Sequence, residues 1–421
     1  MKTRTFLRVV MGVLSLLLVF LPAFGPLTAK ECEIPTNAKA SEILPADQIS
    51  GPYHRIKDTV VSYGYMYRYT VDSDFGVFEV TGNQALKKLL REFPAIASLR
   101  QVSKTEAFGK SLGKAALKPL QLGEGLITDP VDTISGIPKG VGQFFSNVYT
   151  SATGKRNPAE DSQIEQALAL SSYKRQYAYQ LGVDVYSSNP VLQKELNRVG
   201  WASVAASVSF SAAMMPLGVA GTVVSYSRLG QQVNEMVKEE PPAKLRQRNE
   251  KGLLEMGISK DTIKRFLDHP NFTPRQDTVI VACLQKLVGA KGREEFIRFM
   301  LAANDEESAN FLVNIAETMK GYHETVSPIQ EIKVVSGLVF ARARNDSVIN
   351  PFPVDHFFWT EQADEFVRNS VRTRKASGKP WPAGGVDLWV TGTSSSLARK
   401  TLEELGVKVT ERVDQKIEFA D

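Results

Sequence analysis

Between Arg198 and Arg228 the chain runs for 29 residues without a charged side chain. That exceeds the roughly 20 apolar residues needed to cross a bilayer, so the fold must either bury the segment or place it in lipid. Trp201 and Tyr226 stand near its ends as interface anchors would, and Ser203, Ser207 and Ser211 have the spacing that lets helices approach closely. Its composition points the other way. Six serines, Gly200, Gly218, Gly221 and Pro216 dilute its apolar character, and Leu217 is its only leucine. Basic residues stand on both flanks, so charge assigns no orientation. The balance favours a buried helical hairpin bent near Pro216 over a membrane-inserted segment.

Residues 1–29 read as a secretory signal peptide. Lys2, Arg4 and Arg8 precede an uncharged apolar run from Val9 to Phe20, and the small residues Ala23, Gly25 and Ala29 allow cleavage after Gly25 or Ala29. The apolar run is short for a stable span. Export to a periplasm or cell envelope is therefore expected. Loss of those three basic residues takes the formal net charge from +5 to +2, too small a surplus for a dedicated nucleic-acid binder. Cys32 does not directly follow the cleavage site, because Lys30 and Glu31 intervene, which breaks the pattern of an acylated cysteine. Cys283 is the other cysteine. It falls in the helical stripe Ile280, Cys283, Leu284, Leu287 and reads as a core residue, with a disulfide to Cys32 left open.

With 421 residues the chain has room for two or three domains, and its pattern predicts an α+β, mostly helical fold. Residues 30–52, with Pro35, Pro45 and Pro52, read as a linker. Over 53–110 a β-hairpin and helices are expected. Tyr63, Tyr65, Tyr67 and Tyr69 alternate on one strand, Asp72-Ser73-Asp74 turns the chain, and a helix with Asn83 as N-cap carries Leu86, Leu89, Leu90 and Phe93. The tyrosine face is expected to pack on that helix rather than stack against sugars.

Residues 111–240 form a helical region in which glycines and prolines punctuate short amphipathic pieces before the uncharged run 199–227. In one piece Val141, Phe144, Phe145 and Val148 share a face that must lie on the protein's own core, on a membrane lipid surface or on an envelope partner. Residues 243–328 are expected to be helical, with Ser259 and Thr273 as caps. The segment Thr273-Pro274-Arg275-Gln276 has the capping-box pattern. Residues 329–421 form a small C-terminal α/β unit: a hairpin of 332–342 and 347–358 around Asn345-Asp346, then helix, strand, helix and strand.

The chain's enzyme-like motifs are broken. Gly109-Lys110-Ser111-Leu112-Gly113 has the letters of a nucleophile elbow but follows a helical pattern rather than a strand, and Lys104 stands where a phosphate loop needs its first glycine. His323-Glu324 starts like a zinc-protease helix, but Ser327 replaces the second histidine. His54, His269, His323 and His356 are unclustered, so no metal or cofactor is expected. The best-formed local motif is Thr391-Gly392-Thr393-Ser394-Ser395-Ser396, at a strand-to-helix turn. It could hold an anion, although ordinary N-capping needs the same residues. The leading expectation is a non-enzymatic exported envelope protein. The alternative is an exported hydrolase or phosphate-binding enzyme that uses Thr391, Gly392, Thr393 and Ser394 with His356 or His323 as its acid–base group.

Overall fold

The computed structural model describes residues 31–104, 158–206, 227–376 and 385–420, and shows a mixed α/β fold with thirteen α-helices and three sheets among them. The N-terminal sheet contains β1 (Ala38–Lys39), β2 (Ser50–Gly51), β3 (His54–Ile56), β4 (Thr59–Tyr63), β5 (Met66–Ser73) and β6 (Gly76–Thr81). Its spine is β5. Along one edge β4 pairs with its first residues and β3 with its last, while β6 runs antiparallel along the other edge.

The tyrosine ladder is divided. Tyr63 closes β4, Gly64 turns the chain at φ 63°, and only Tyr67 and Tyr69 lie on the buried face of β5. A period of two is the same for one long strand and for two strands joined by a tight turn, so alternation alone could not locate the break. Tyr65, in that turn, reaches out against Phe352 and Phe357.

The expected linker is also structured over most of its described length. Residues 38–51 form β1, α1 (Ala40–Ile43), α2 (Ala46–Ile49) and β2, with Ala40 fully buried. Pro45 falls between the two helices, where it ends α1 with Leu44 extended and precedes α2, at which its missing N–H costs nothing.

The expected helix behind the sheet is α3 (Asn83–Lys104), which buries Leu86, Leu89, Phe93, Ile96 and Leu99. Asn83 is its first residue and does not cap it; the Asn83 side chain instead accepts the Tyr69 hydroxyl proton.

The central helices are α4 (Pro158–Leu181), α5 (Pro190–Ala206), α6 (Arg228–Glu239), α7 (Pro242–Glu255), α8 (Lys260–Leu267), α9 (Pro274–Lys286), α10 (Arg293–Met300) and α11 (Glu306–Thr325). Several begin where local chemistry places them. Ser259 accepts the Thr262 N–H at α8, and at α9 the Thr273 hydroxyl accepts the Gln276 N–H (3.2 Å) while the Gln276 side chain accepts the Thr273 N–H (2.8 Å). Thr273→Ala removes one arm of this box and is expected to cost about 1 kcal/mol in a urea unfolding titration. Cys283 is fully buried on α9, as its stripe predicts, and no disulfide joins it to Cys32.

Of the uncharged run, Val199, Ala202 and Ser203 are buried within α5; residues 207–226, and with them the hairpin expected at Pro216, lie outside the described residues. No described helix is long and apolar enough to cross a membrane.

In the C-terminal unit β7 (Ile329–Val335), β8 (Leu338–Ala343), β9 (Val348–Phe352), β11 (Val386–Val390) and β13 (Val407–Thr410) form a five-stranded sheet in the order β13-β11-β9-β8-β7. Antiparallel pairing joins β7, β8 and β9, and parallel pairing joins β9, β11 and β13. The first arm of the expected hairpin is two strands. Ser336 and Gly337, at φ 51° and 78°, turn β7 into β8. The second arm is cut at Pro353, leaving β10 (His356–Phe357) to pair with β12 (Thr393–Ser394) in a separate two-stranded sheet. Helices α12 (Glu361–Ala376) and α13 (Ser396–Glu404) supply the crossovers. Trp359, Val390, Ala398 and Leu402 form the unit's own core.

Candidate functional site

Two segments of the C-terminal unit run side by side, one leaving β9 (residues 353–360) and one leaving β11 (residues 391–396). Their backbones bind each other closely. Gly392 N–H donates to the Val354 carbonyl (2.8 Å), Thr393 N–H to that of Asp355 (3.1 Å) and Ser395 N–H to that of Phe357 (3.0 Å). Ser394 N–H donates to Glu411 Oε1 at 2.6 Å. All four N–H groups of residues 392–395 therefore end on protein oxygens, where an anion would have needed them. The Thr391 hydroxyl donates to the Val354 carbonyl (2.9 Å), and Ser395 Oγ accepts the Ala398 N–H (3.0 Å) as the N-cap of α13. Among the described residues, Ser394 Oγ is buried and has no hydrogen-bond partner. Gly392 is required by the approach itself, since a Cβ there would lie 1.8 Å from the Asp355 carbonyl oxygen.

His356 is brought to this loop. It is half-buried, with Nδ1 2.7 Å from Thr393 Oγ1 and its ring set edge-on to Phe358 at 4.4 Å. Burial holds its pKa below the ordinary histidine value, although the charges of Glu33 and Glu411 pull it upward and Arg399 adds to the lowering. Glu411 is itself paired with Arg399 at 3.2 Å. Glu33 belongs to the same joint from the far end of the chain. Its carboxylate accepts the Trp359 N–H (2.7 Å) and the Ser395 hydroxyl proton (2.5 Å), and its own N–H donates to the Trp359 carbonyl.

His323 does not join the loop. It lies near the end of α11, where its Nδ1 accepts the Ile329 N–H at 3.0 Å and closes the turn into β7; burial lowers its pKa as well. His269 packs on Phe272, and His54 lies 3.0 Å from the Gln48 carbonyl oxygen and stacks on Phe93. Among the described residues none of the four histidines hydrogen-bonds a carboxylate, and no three His, Cys, Asp or Glu side chains gather around a common centre. Val141, Phe144, Phe145 and Val148 lie outside the described residues.

The carboxylate that organises this region does not belong to any sequence motif. Asp355 is buried, and its two oxygens divide their work: Oδ2 accepts the Tyr67 N–H on β5 (2.8 Å) and Oδ1 accepts the Asn83 N–H at the start of α3 (3.0 Å). It is the capping residue that α3 lacks in its own sequence. Burial pushes its pKa up to about 6, against the opposing pull of the two N–H groups; Asp414 adds to the rise and Lys87 reduces it. The signal in the sequence is a lone acid in the largely apolar stretch from Val348 to Trp359, a placement that requires internal partners.

No family model, curated protein or solved structure matches the chain.

Proposed function

We propose that the chain is an exported cell-envelope protein of non-enzymatic role that works by contacting a membrane surface or a partner protein. The observation that carries this reading is the use made of the groups with the most chemical promise. The N–H groups of residues 392–395, the Ser395 hydroxyl and the Asp355 carboxylate all bind other parts of the same chain, so they hold the molecule together rather than await a substrate. The charged, apolar and small-residue order of residues 1–29 supports export. Fractionation of the expressing cell tests both halves. The protein is expected outside the cytosol, shortened to begin at residue 26 or 30, and released from the envelope pellet by high salt or carbonate. Recovery from the cytosol with Met1 intact would overturn the reading.

One observation favours the second reading, an exported hydrolase: His356 Nδ1 stands 2.7 Å from a hydroxyl, that of Thr393, with two carboxylates acting on its charge. Thr393→Val and His356→Gln separate the readings. Loss of turnover of a chromogenic ester or phosphate in both variants, with envelope release unchanged, would establish the hydrolase.

A further inference from the structure

We propose that Asp355 is a proton-responsive latch between the N-terminal sheet and the C-terminal α/β unit. Asp355 belongs to the segment leaving β9, yet neither acceptor bond of its side chain stays in that unit: one goes to β5 and the other to the first turn of α3. The backbone repeats the connection, because the N–H groups of Asp355 and His356 both reach the Tyr65 carbonyl at 3.1 Å. Each carboxylate oxygen faces one N–H donor. A proton added to either oxygen takes a lone pair that neither N–H uses, so both bonds persist, but each loses the assistance of the carboxylate charge. In exchange the buried charge disappears, and because burial raises this carboxyl above its solvated value, the closed joint takes up the proton more readily than an opened one and is held more firmly on the acid side.

The surroundings allow that proton to be taken up in a mild pH range. From β5 the Tyr67 and Tyr69 hydroxyls belong to the same environment, both held protonated by burial. From α3 comes Lys87, and from the turn after β13 comes Asp414; these two pair with each other at 3.1 Å and so offset one another at Asp355. His356 follows in the chain, but its ring is committed to Thr393 and Phe358. With desolvation uncompensated by a dedicated cation, the carboxyl titrates at about 6. An exported protein is exposed to the pH of its surroundings, which gives the latch an input; the latch itself rests on the geometry and not on the proposed envelope role.

The test is a pH titration of the full-length protein followed by NMR. The Tyr67 and Asn83 amide resonances and the Asp355 carboxyl carbon are expected to shift together with one midpoint near pH 6, and the two amides should gain about tenfold in exchange protection on going from about pH 7.5 to about pH 5, after correction for intrinsic rates. The shared transition should vanish in Asp355→Asn and persist in His356→Gln. A carboxyl carbon and amides that stay flat between about pH 4.5 and 7.5 in the folded wild type would overturn the proposal. So would a transition that disappears with His356→Gln, which would assign it to the imidazole. Because the wild-type carboxyl resonance reports directly, the result does not depend on Asp355→Asn folding.

Discussion

Gly392→Ala is expected to destabilise the C-terminal unit by about 4 kcal/mol, because the new methyl group has no space and its obstacle cannot move. A Cβ at this position would lie 1.8 Å from the Asp355 carbonyl oxygen, 2.5 Å from the carbonyl carbon and 2.8 Å from Cα, all of them backbone atoms. Relief requires the two segments to part. Parting breaks the Gly392–Val354 and Thr393–Asp355 bonds and drags on the Asp355 side chain, so the N-terminal sheet loses its tie as well. Chemical denaturation measures the loss, and a cost below about 1 kcal/mol would show that the segments separate freely. Gly406 supplies the contrast. It turns at φ 76°, and a methyl group added there would meet no atom within 4 Å, so Gly406→Ala should cost only the left-handed strain of about 1 kcal/mol.

Trp359→Ala is the second large effect, expected at about 3–5 kcal/mol from the cavity alone. The indole is fully buried in the core of the C-terminal unit, with its ring 6.5 Å from that of Phe357 and its N–H donating to Asp364 Oδ1 at 3.2 Å. Asp364 is 1% exposed and also binds Arg368, so removing the indole takes one donor from a buried carboxylate. Trp359→Phe should recover most of the packing but not that bond, and should fall between the wild type and Trp359→Ala. Equal losses in Phe and Ala would assign the whole effect to the hydrogen bond. The two substitutions at residues 359 and 392 disturb one joint, and their combined cost should be less than the sum, since separation of the segments already loosens the tryptophan pocket.

Much of the fold is legible in the sequence because its causes are local. Ser259, and Thr273 with Gln276, set helix starts through bonds within three residues, so the letters carry the geometry. Buried stripes such as Leu86, Leu89 and Phe93, and the Cys283 stripe, follow from a helical period that needs no knowledge of the partner surface. Expectation and structure part where a period is shared by two arrangements. The tyrosine alternation continues through the turn at Gly64, and strand-favouring residues stand on both sides of the turn at Ser336-Gly337, and in both places one expected strand is two. Prolines at 45 and 52 suggest a linker, although proline beside short elements is compatible with packed structure.

The candidate site divides along the same line. Thr391 to Ser396 are visible as a strand-to-helix turn, and Ser395 is the N-cap that such a turn requires. What those residues bind is not visible. Where helices begin, which faces they bury and the α/β character of the chain's last ninety or so residues could all be read from the letters, since each depends on neighbours a few residues apart. The role of Asp355 depends on N–H groups 288 and 272 residues away, and that of Glu33 on Ser395, 362 residues away. These roles emerge only when the chain is folded. A hydrogen bond acts over about 3 Å of space whatever the length of chain between its partners, and no spacing in the sequence records it.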